Sequence, residues 1–380
     1  MEHLGDITKI DGTKAPVVDV VIGGSPCQDL SIAGKRAGLD GERSGLFMEQ
    51  IRIIREMRNE DERIGRTGVD IRPRYMVWEN VYGAFSSNKG EDFRIVLEET
   101  AKIADKNAVI PRPTDGKWKS CGCIMTDGWS IAWRVFDAQF WGVPQRRRRI
   151  ALVADFGGQS APEILFVRKS VSGHSEQGES KGKETSCDVS RGVEATDCFG
   201  FDCYNGELTE GKQATLGVNC GISTGRNVVF CIDQGGGKSQ ANVQEDLSPT
   251  LSCTHGGEPA VCYNKIVRRL TPLECERLQG FPDGWTDIGE WTDSNGKKRK
   301  TSDASRYKAL GNSIALPQWK WVLKRICACY ERNVTMASLF DGIGGFPLIM
   351  EQFNGKGSCL WASEIEEFPI AVTKVRIGGE

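Results

Sequence analysis

The chain has 380 residues, of which 39% are hydrophobic and 26% charged, and its formal net charge is −2. Such proportions belong to a water-soluble globular protein of one large and one smaller domain. No apolar run approaches the roughly 20 residues that span a bilayer, and the fourteen cysteines in so long and charged a chain read as free thiols rather than a disulfide framework.

The first strong element is Val17-Val18-Asp19-Val20-Val21-Ile22, a β-branched run that predicts a buried strand. Gly23-Gly24-Ser25-Pro26-Cys27-Gln28 ends it abruptly and holds one cysteine on a tight loop beyond the strand's carboxyl end. At that edge open α/β sheets bind their ligands. Cys27 is therefore a candidate nucleophile, because backbone amides and nearby cations favour the thiolate. Gln28–Phe47 is glycine-rich and carries Lys35, Arg36 and Arg43, the composition of a loop that closes on a ligand. Helical periodicity follows over Gly45–Asn59, and Arg55–Arg74 is charged enough to predict a surface helix end and loop.

Tyr75–Trp78 predicts a second strand and runs into Glu79-Asn80-Val81. Phe93–Lys106 predicts a helix, Ile131–Phe136 a strand, and Arg149–Ala154 another behind Pro144-Gln145-Arg146-Arg147-Arg148-Arg149. Alternation in that run puts Arg147 and Arg149 on one face, with Arg146 and Arg148 turned to solvent. Cys121-Gly122-Cys123 lacks the spacing of a zinc site, so no metal is expected.

From Gly157 to Val261 the composition shifts to Gly, Ser, Thr and Asn, with turn signals and a weak repeat. Phe201-Asp202-Cys203 is echoed by Phe230-Cys231-Ile232-Asp233, and Ala260-Val261-Cys262-Tyr263 closes the second copy. A small, irregular β-rich domain is expected, with a disordered stretch near residues 170–190. Next come a helix capped by Thr271 and stopped at Gly280, then Gly311-Asn312-Ser313, and strands at Thr335–Phe340 and Cys359–Ser363. Between those two strands, Phe340-Asp341-Gly342-Ile343-Gly344-Gly345-Phe346 lets the backbone approach a ligand closely. Glu364 ends the second strand, where a carboxylate can accept bonds from ribose hydroxyls. Strands alternating with helices argue a parallel, doubly wound sheet.

Taken together, Gly23–Gln28, Trp78–Val81, Gln145–Arg149, Gly311–Ser313 and Phe340–Phe346 resemble the DNA (cytosine-5) methyltransferases, most of all those of bacteria and phages. The resemblance covers nearly all of the chain outside residues 156–262. It implies a Rossmann-like α/β sheet that binds S-adenosylmethionine, joined to a small, irregular β-rich target-recognition domain. The expected division is a catalytic segment at 1–156, the recognition domain at 157–285, and a second catalytic segment at 286–380. By the same resemblance Cys27 adds to carbon 6 of a cytosine flipped out of double-stranded DNA, and Glu79, as a carboxylic acid, engages the ring's N3. Arg149 holds the cytosine O2, while Arg147 anchors Glu79 or a phosphate. Asn80 holds the cysteine loop. Phe340 and Ile365 flank the adenine of the cofactor, Asp6 and Ile7 close its edge, and Asp341, Gly342, Ile343, Gly344, Gly345 and Glu364 form the turn around it. Pro26, Asn312 and Ser313 complete that site. Gln28, Ser31, Lys35, Arg36 and Gln145 are expected on DNA. A cognate restriction endonuclease is the partner the family suggests; otherwise a cytoplasmic monomer without membrane contact is expected.

The order of these motifs is unusual. His3-Leu4-Gly5-Asp6-Ile7-Thr8 resembles the family's third motif, whereas the glycine turn, ordinarily first, follows Gly311-Asn312-Ser313. The arrangement reads as a circular permutation and predicts that residues 1 and 380 lie near each other. Three other readings stay open on sequence alone. A tRNA cytosine methyltransferase of the same fold would carry Cys-Phe-Thr, where the nearest string here is Cys198-Phe199-Gly200. A catalytically silent DNA-binding relative would not need Cys27, Glu79 and Arg149 together. A cysteine hydrolase would need a histidine to serve Cys27, and the three histidines are scattered.

Overall fold

The computed structural model describes residues 1–25, 45–167, 199–202, 207–210, 230–233, 242–245, 260–263 and 266–378. In chain order the strands begin with β1 (Glu2–His3), β2 (Val20–Gly23), β3 (Tyr75–Val81), β4 (Cys121–Met125), β5 (Ser130–Asp137) and β6 (Arg148–Asp155). Then come β7 (Phe199–Asp202), β8 (Glu207–Glu210), β9 (Phe230–Asp233), β10 (Asn242–Glu245), β11 (Ala260–Tyr263) and β12 (Ile266–Arg269). The last four are β13 (Glu290–Thr292), β14 (Lys298–Lys300), β15 (Met336–Leu339) and β16 (Cys359–Ser363).

Eight of these form one sheet in the order β1-β16-β15-β2-β3-β6-β5-β4. From β1 through β3 all neighbours are parallel. β6, however, runs antiparallel between β3 and β5, and β4 adds an antiparallel edge. The all-parallel expectation is therefore corrected to a mixed sheet. Strand direction is set by connections, and residues 138–147 join β5 to β6 without a crossover helix, which only an antiparallel neighbour permits.

β15 and β2 lie side by side at the centre. From β15 the chain moves outward to β16 with β1 beyond it, and from β2 it moves the other way to β3. That divergence is a topological switch point, where a crevice opens at the carboxyl ends of the strands. The strands are apolar on both faces, as a covered sheet requires. Val20, Ile22, Tyr75 and Val77 face Trp319, Leu323, Phe346 and Met350, whereas Val21, Met76 and Trp78 face Ile51, Ile54, Phe93 and Leu97. Among the described residues no helix is long and apolar enough to cross a membrane.

Two expectations change with the packing. The charged segment 55–74 is not merely surface, because Arg58 and Asp61 are buried. Arg58 donates to the carbonyls of Ile71 and Pro73 (3.1 and 2.8 Å), and Asp61 accepts from the Arg72 amide at 2.8 Å, so this pair organises the turn into β3. The helix Pro272–Gln279 has the expected boundaries: Thr271 and Glu274 form a capping box, and Gly280 stops it at φ 80°. Yet Leu270, Cys275, Leu278, Phe281 and Trp285 share the hydrophobic core of the large sheet. Before them, β9 to β12 form a four-stranded antiparallel sheet, β10-β9-β11-β12, and β7 pairs with β8. Of these short strands, β9 and β11 coincide with the repeated runs Phe230–Asp233 and Ala260–Tyr263.

Candidate active site

The predicted site residues within the described region converge on the carboxyl edge of the parallel strands. β6 is antiparallel and starts at that edge, so Arg149 lies directly opposite Val81 at the end of β3. There Arg149 Nε donates to Glu79 Oε1 at 2.9 Å, both side chains being about 14% exposed. The partner of Glu79 is thus Arg149 and not Arg147. Arg147 is buried just before the strand begins, and its guanidinium donates to the Ser313 carbonyl. Arg147 lies before β6 and Arg149 within it, and the two have different partners. Arg147 joins the end of the helix Asp303–Asn312, at Ser313, to the Glu79 edge.

Gly24 explains how the carboxylate reaches its position. A Cβ on Gly24 would stand 2.9 Å from Glu79 Oε2, so any larger residue displaces the acid. Asn80 is expected to hold the cysteine loop, and its bonds reach the last described residue before it. Its amide donates to the Ser25 carbonyl at 3.0 Å, its oxygen accepts from the Val81 amide at 2.8 Å, and Trp78 donates to Ser25 Oγ at 3.1 Å. These bonds tie the end of β2 to the end of β3 immediately before position 26. Pro26, Cys27, Gln28, Ser31, Lys35 and Arg36 lie outside the described residues. Of the loop expected at 28–47, the last three residues begin a helix, Gly45–Arg63, and Phe47 is buried edge-on to Trp78, 5.9 Å between ring centres. Gln145, expected on DNA, is fully buried, with neither amide atom hydrogen-bonded.

On the other side of the switch point, the turn after β15 runs through three left-handed residues, Phe340 (φ 54°), Gly342 (φ 58°) and Gly344 (φ 77°). For Phe340 this is a strained conformation of the kind found at ligand sites. A Cβ on Gly344 would meet Ile377 at 2.6 Å, whereas one on Gly342 would meet nothing within 4 Å. Gly344 therefore serves packing and Gly342 faces open space. Trp285 Nε1 donates to the Ile343 carbonyl at 2.8 Å, a support that sequence reading missed. Glu364 accepts from the Gly342 amide (2.8 Å) through Oε2, and from the Ile365 and Glu366 amides (2.7 and 2.8 Å) through Oε1. Ile365 is 71% exposed. Asp6 is bonded by the Thr8 amide (3.0 Å) and hydroxyl (2.9 Å) at the adjoining turn, which Ser363 fastens through the Gly5 carbonyl at 2.7 Å. Ile7 is buried in the core, so its side chain supports that turn from behind. Asn312 is exposed and Ser313 buried.

Asp341 is the unusual group of this turn. Ser338 Oγ donates to its Oδ1 at 2.5 Å, and its Oδ2 is buried without a hydrogen bond. Burial, with the nearby charge of Glu364, pushes its carboxyl up to about 7 against the Ser338 bond. The folded chain therefore holds a proton that the unfolded chain releases near the ordinary value of 3.8. The associated stability is present at acid pH and is lost as pH rises through the folded value. Asp341→Asn removes that titration, so thermal melts should show the variant gaining about 2–3 kcal/mol on wild type between about pH 5 and about pH 8. A difference independent of pH would remove Asp341 as the cause.

Three comparisons bear on this edge. The family model of C-5 cytosine-specific DNA methylases matches residues 1–104 and 123–328. Among curated proteins, the "DNA N-6-adenine-methyltransferase" of Escherichia phage P1 is 28% identical, the match covering 92% of this chain and 60% of that protein. The Type II methyltransferase M1.ScrFI of Lactococcus lactis subsp. cremoris is 27% identical over 87% of this chain and 68% of its own. M.HpaII of Haemophilus parainfluenzae is 28% identical over 85% and 76%. The chain thus spans only 60% of the phage relative's length. Among solved structures, the Dnmt2 methyltransferase of S. pombe aligns at a TM-score of 0.45 and 14% identity, covering 85% of this chain and 83% of that one.

Proposed function

The chain belongs to the C-5 cytosine-specific DNA methylase family, and from that membership we propose that it transfers a methyl group to carbon 5 of cytosine in double-stranded DNA. The observation that carries this reading is the Glu79–Arg149 pair, seated against Gly24 at the end of the strand that leads to Cys27. Carbon 5 of cytosine is a poor nucleophile. Addition of the Cys27 thiolate to carbon 6 makes the ring an enamine, with the negative charge taken up at N3. Glu79 is the residue that engages N3, and Arg149 both orients Glu79 and offers its remaining N–H groups to the cytosine O2. After methylation, loss of the carbon 5 proton to a base expels the cysteine sulfur and restores the aromatic ring.

The residues around Phe340 suit S-adenosylmethionine. Phe340 and exposed Ile365 offer apolar surfaces for a purine, Glu364 offers a carboxylate for hydroxyls, and the space above Gly342 admits close approach to backbone. When bound, that cofactor supplies the methyl group on a sulfonium. We assign Asp6, Asn312, Ser313 and Pro26 to the same cofactor site. Gln28, Ser31, Lys35 and Arg36 remain our DNA contacts, with a cytoplasmic monomer and a cognate endonuclease as the setting. Gln145, being buried, is read instead as lining beneath the arginines.

The recognition domain is read as lying within about 168–269, since residues 161–165 and 270–285 contribute to the catalytic core. The permutation is supported by β1, which pairs with β16, and by His3 Nε2, 2.8 Å from Thr373 Oγ1 in the helix Glu367–Arg376. Efficient energy transfer between dyes at the two chain ends is expected; its absence would exclude the permuted order.

The activity is tested by expressing the chain in cells free of cytosine methylation and digesting their DNA to nucleosides. Mass spectrometry should find 5-methylcytosine, and bisulfite sequencing should confine it to one sequence context. N6-methyladenine without 5-methylcytosine, or methylation of tRNA alone, would overturn the proposal.

A further inference from the structure

Just outside the Glu79–Arg149 pair, Arg148 lies flat on Tyr82, with its guanidinium carbon 4.0 Å from the ring centre. Tyr82 follows the last residue of β3 and Arg148 is the first of β6. The register that sets Val81 opposite Arg149 therefore puts this stack one step beyond the catalytic pair, on the same edge. Arg148 is exposed and Tyr82 is 40% exposed. Among the described residues no carboxylate forms an ion pair with Arg148. Asp137 stands opposite it in the sheet, but its oxygens are taken by the Arg147 amide (3.1 Å) and by Gln139 (2.7 Å). Tyr82 also opens a short turn, Tyr82–Phe85, and the next one, Ser87–Gly90, holds Asn88 and Lys89 in left-handed conformations, at φ 47° and 57°, and exposed.

An arginine stem laid on an aromatic ring loses its rotamer freedom in advance while keeping its N–H fork open. With no described carboxylate paired to it, that fork is a ready site for a phosphate oxygen. We propose that the Arg148–Tyr82 stack grips a backbone phosphate of the DNA strand that carries the target cytosine, and so fixes the register of that strand over Glu79. The proposal rests on the DNA methyltransferase reading above.

The test uses the full-length enzyme and a fluorescein-labelled duplex bearing the methylation context found by bisulfite sequencing, titrated over a salt series. Arg148→Ala should weaken binding about tenfold near 0.1 M salt and reduce the slope of log K against log salt by about 0.9, the loss of one phosphate contact. Tyr82→Leu keeps the charge, so it should retain the slope while losing about threefold in affinity. Binding of S-adenosylhomocysteine, measured by calorimetry, reports folding and should match wild type in both variants. A properly folded Arg148→Ala enzyme with wild-type affinity and slope would overturn the inference while leaving the methyltransferase reading intact. A wild-type enzyme that neither binds nor methylates duplex DNA would overturn both.

Discussion

Cys27→Ser is expected to lower methyl transfer to DNA by roughly 10³-fold or more, with cofactor affinity unchanged. The loss follows from the chemistry of the nucleophile. A thiol near neutral pH is partly thiolate, and backbone amides at a strand end favour that form further. A serine hydroxyl stays protonated, and among the described residues no histidine stands at the Glu79 edge to take its proton. Tritiated methyl incorporation into DNA measures the loss, and calorimetric titration with S-adenosylhomocysteine measures what survives. Retained activity would mean that the nucleophile lies elsewhere and would undo the mechanism.

The second large effect concerns Glu79 and Arg149. Glu79→Gln and Arg149→Ala should each slow single-turnover methylation by about 10²–10³-fold. Their double variant should be little slower than either alone, because the bond at 2.9 Å makes them one device. Were the two side chains to act independently, the two losses would multiply. Arg147→Ala should behave differently. Its guanidinium holds the Ser313 carbonyl and not the acid, so its loss should appear first as weaker cofactor binding and lower thermal stability.

Much of the fold was legible because buried parallel strands advertise themselves. Tyr75–Trp78 and Cys359–Ser363 are apolar runs that lie in strands of the main sheet, and of Val17–Ile22 the second half, from Val20, does so. The direction of β6 was not legible, since an apolar run reads the same either way along the chain. Nor was the burial of Arg58 and Asp61. Charge signals surface unless carbonyls and amides from a distant turn converge on it, and those partners are known only once the chain is folded.

At the site, Glu79 and Arg149 were visible through their motifs, but their pairing required the register of β3 against β6. Asp341 looked like one more residue of a glycine turn, yet burial beside Ser338 and Glu364 changes its chemistry. The Tyr82–Arg148 stack left only a faint signal. An aromatic directly after the strand that carries Glu79 faces the arginine that opens the strand carrying Arg149. Trp285 left none, because its bond to Ile343 spans 58 positions.

The most direct measurement is a covalent trap. A duplex carrying 5-fluorocytosine at the methylated position is incubated with enzyme and S-adenosylmethionine, then resolved under denaturing conditions. Fluorine at carbon 5 cannot leave as the proton does, so a sulfur-linked, methylated adduct should accumulate and map by peptide mass spectrometry to Cys27. An active enzyme that yields no adduct, or one linked through another residue, would contradict the account.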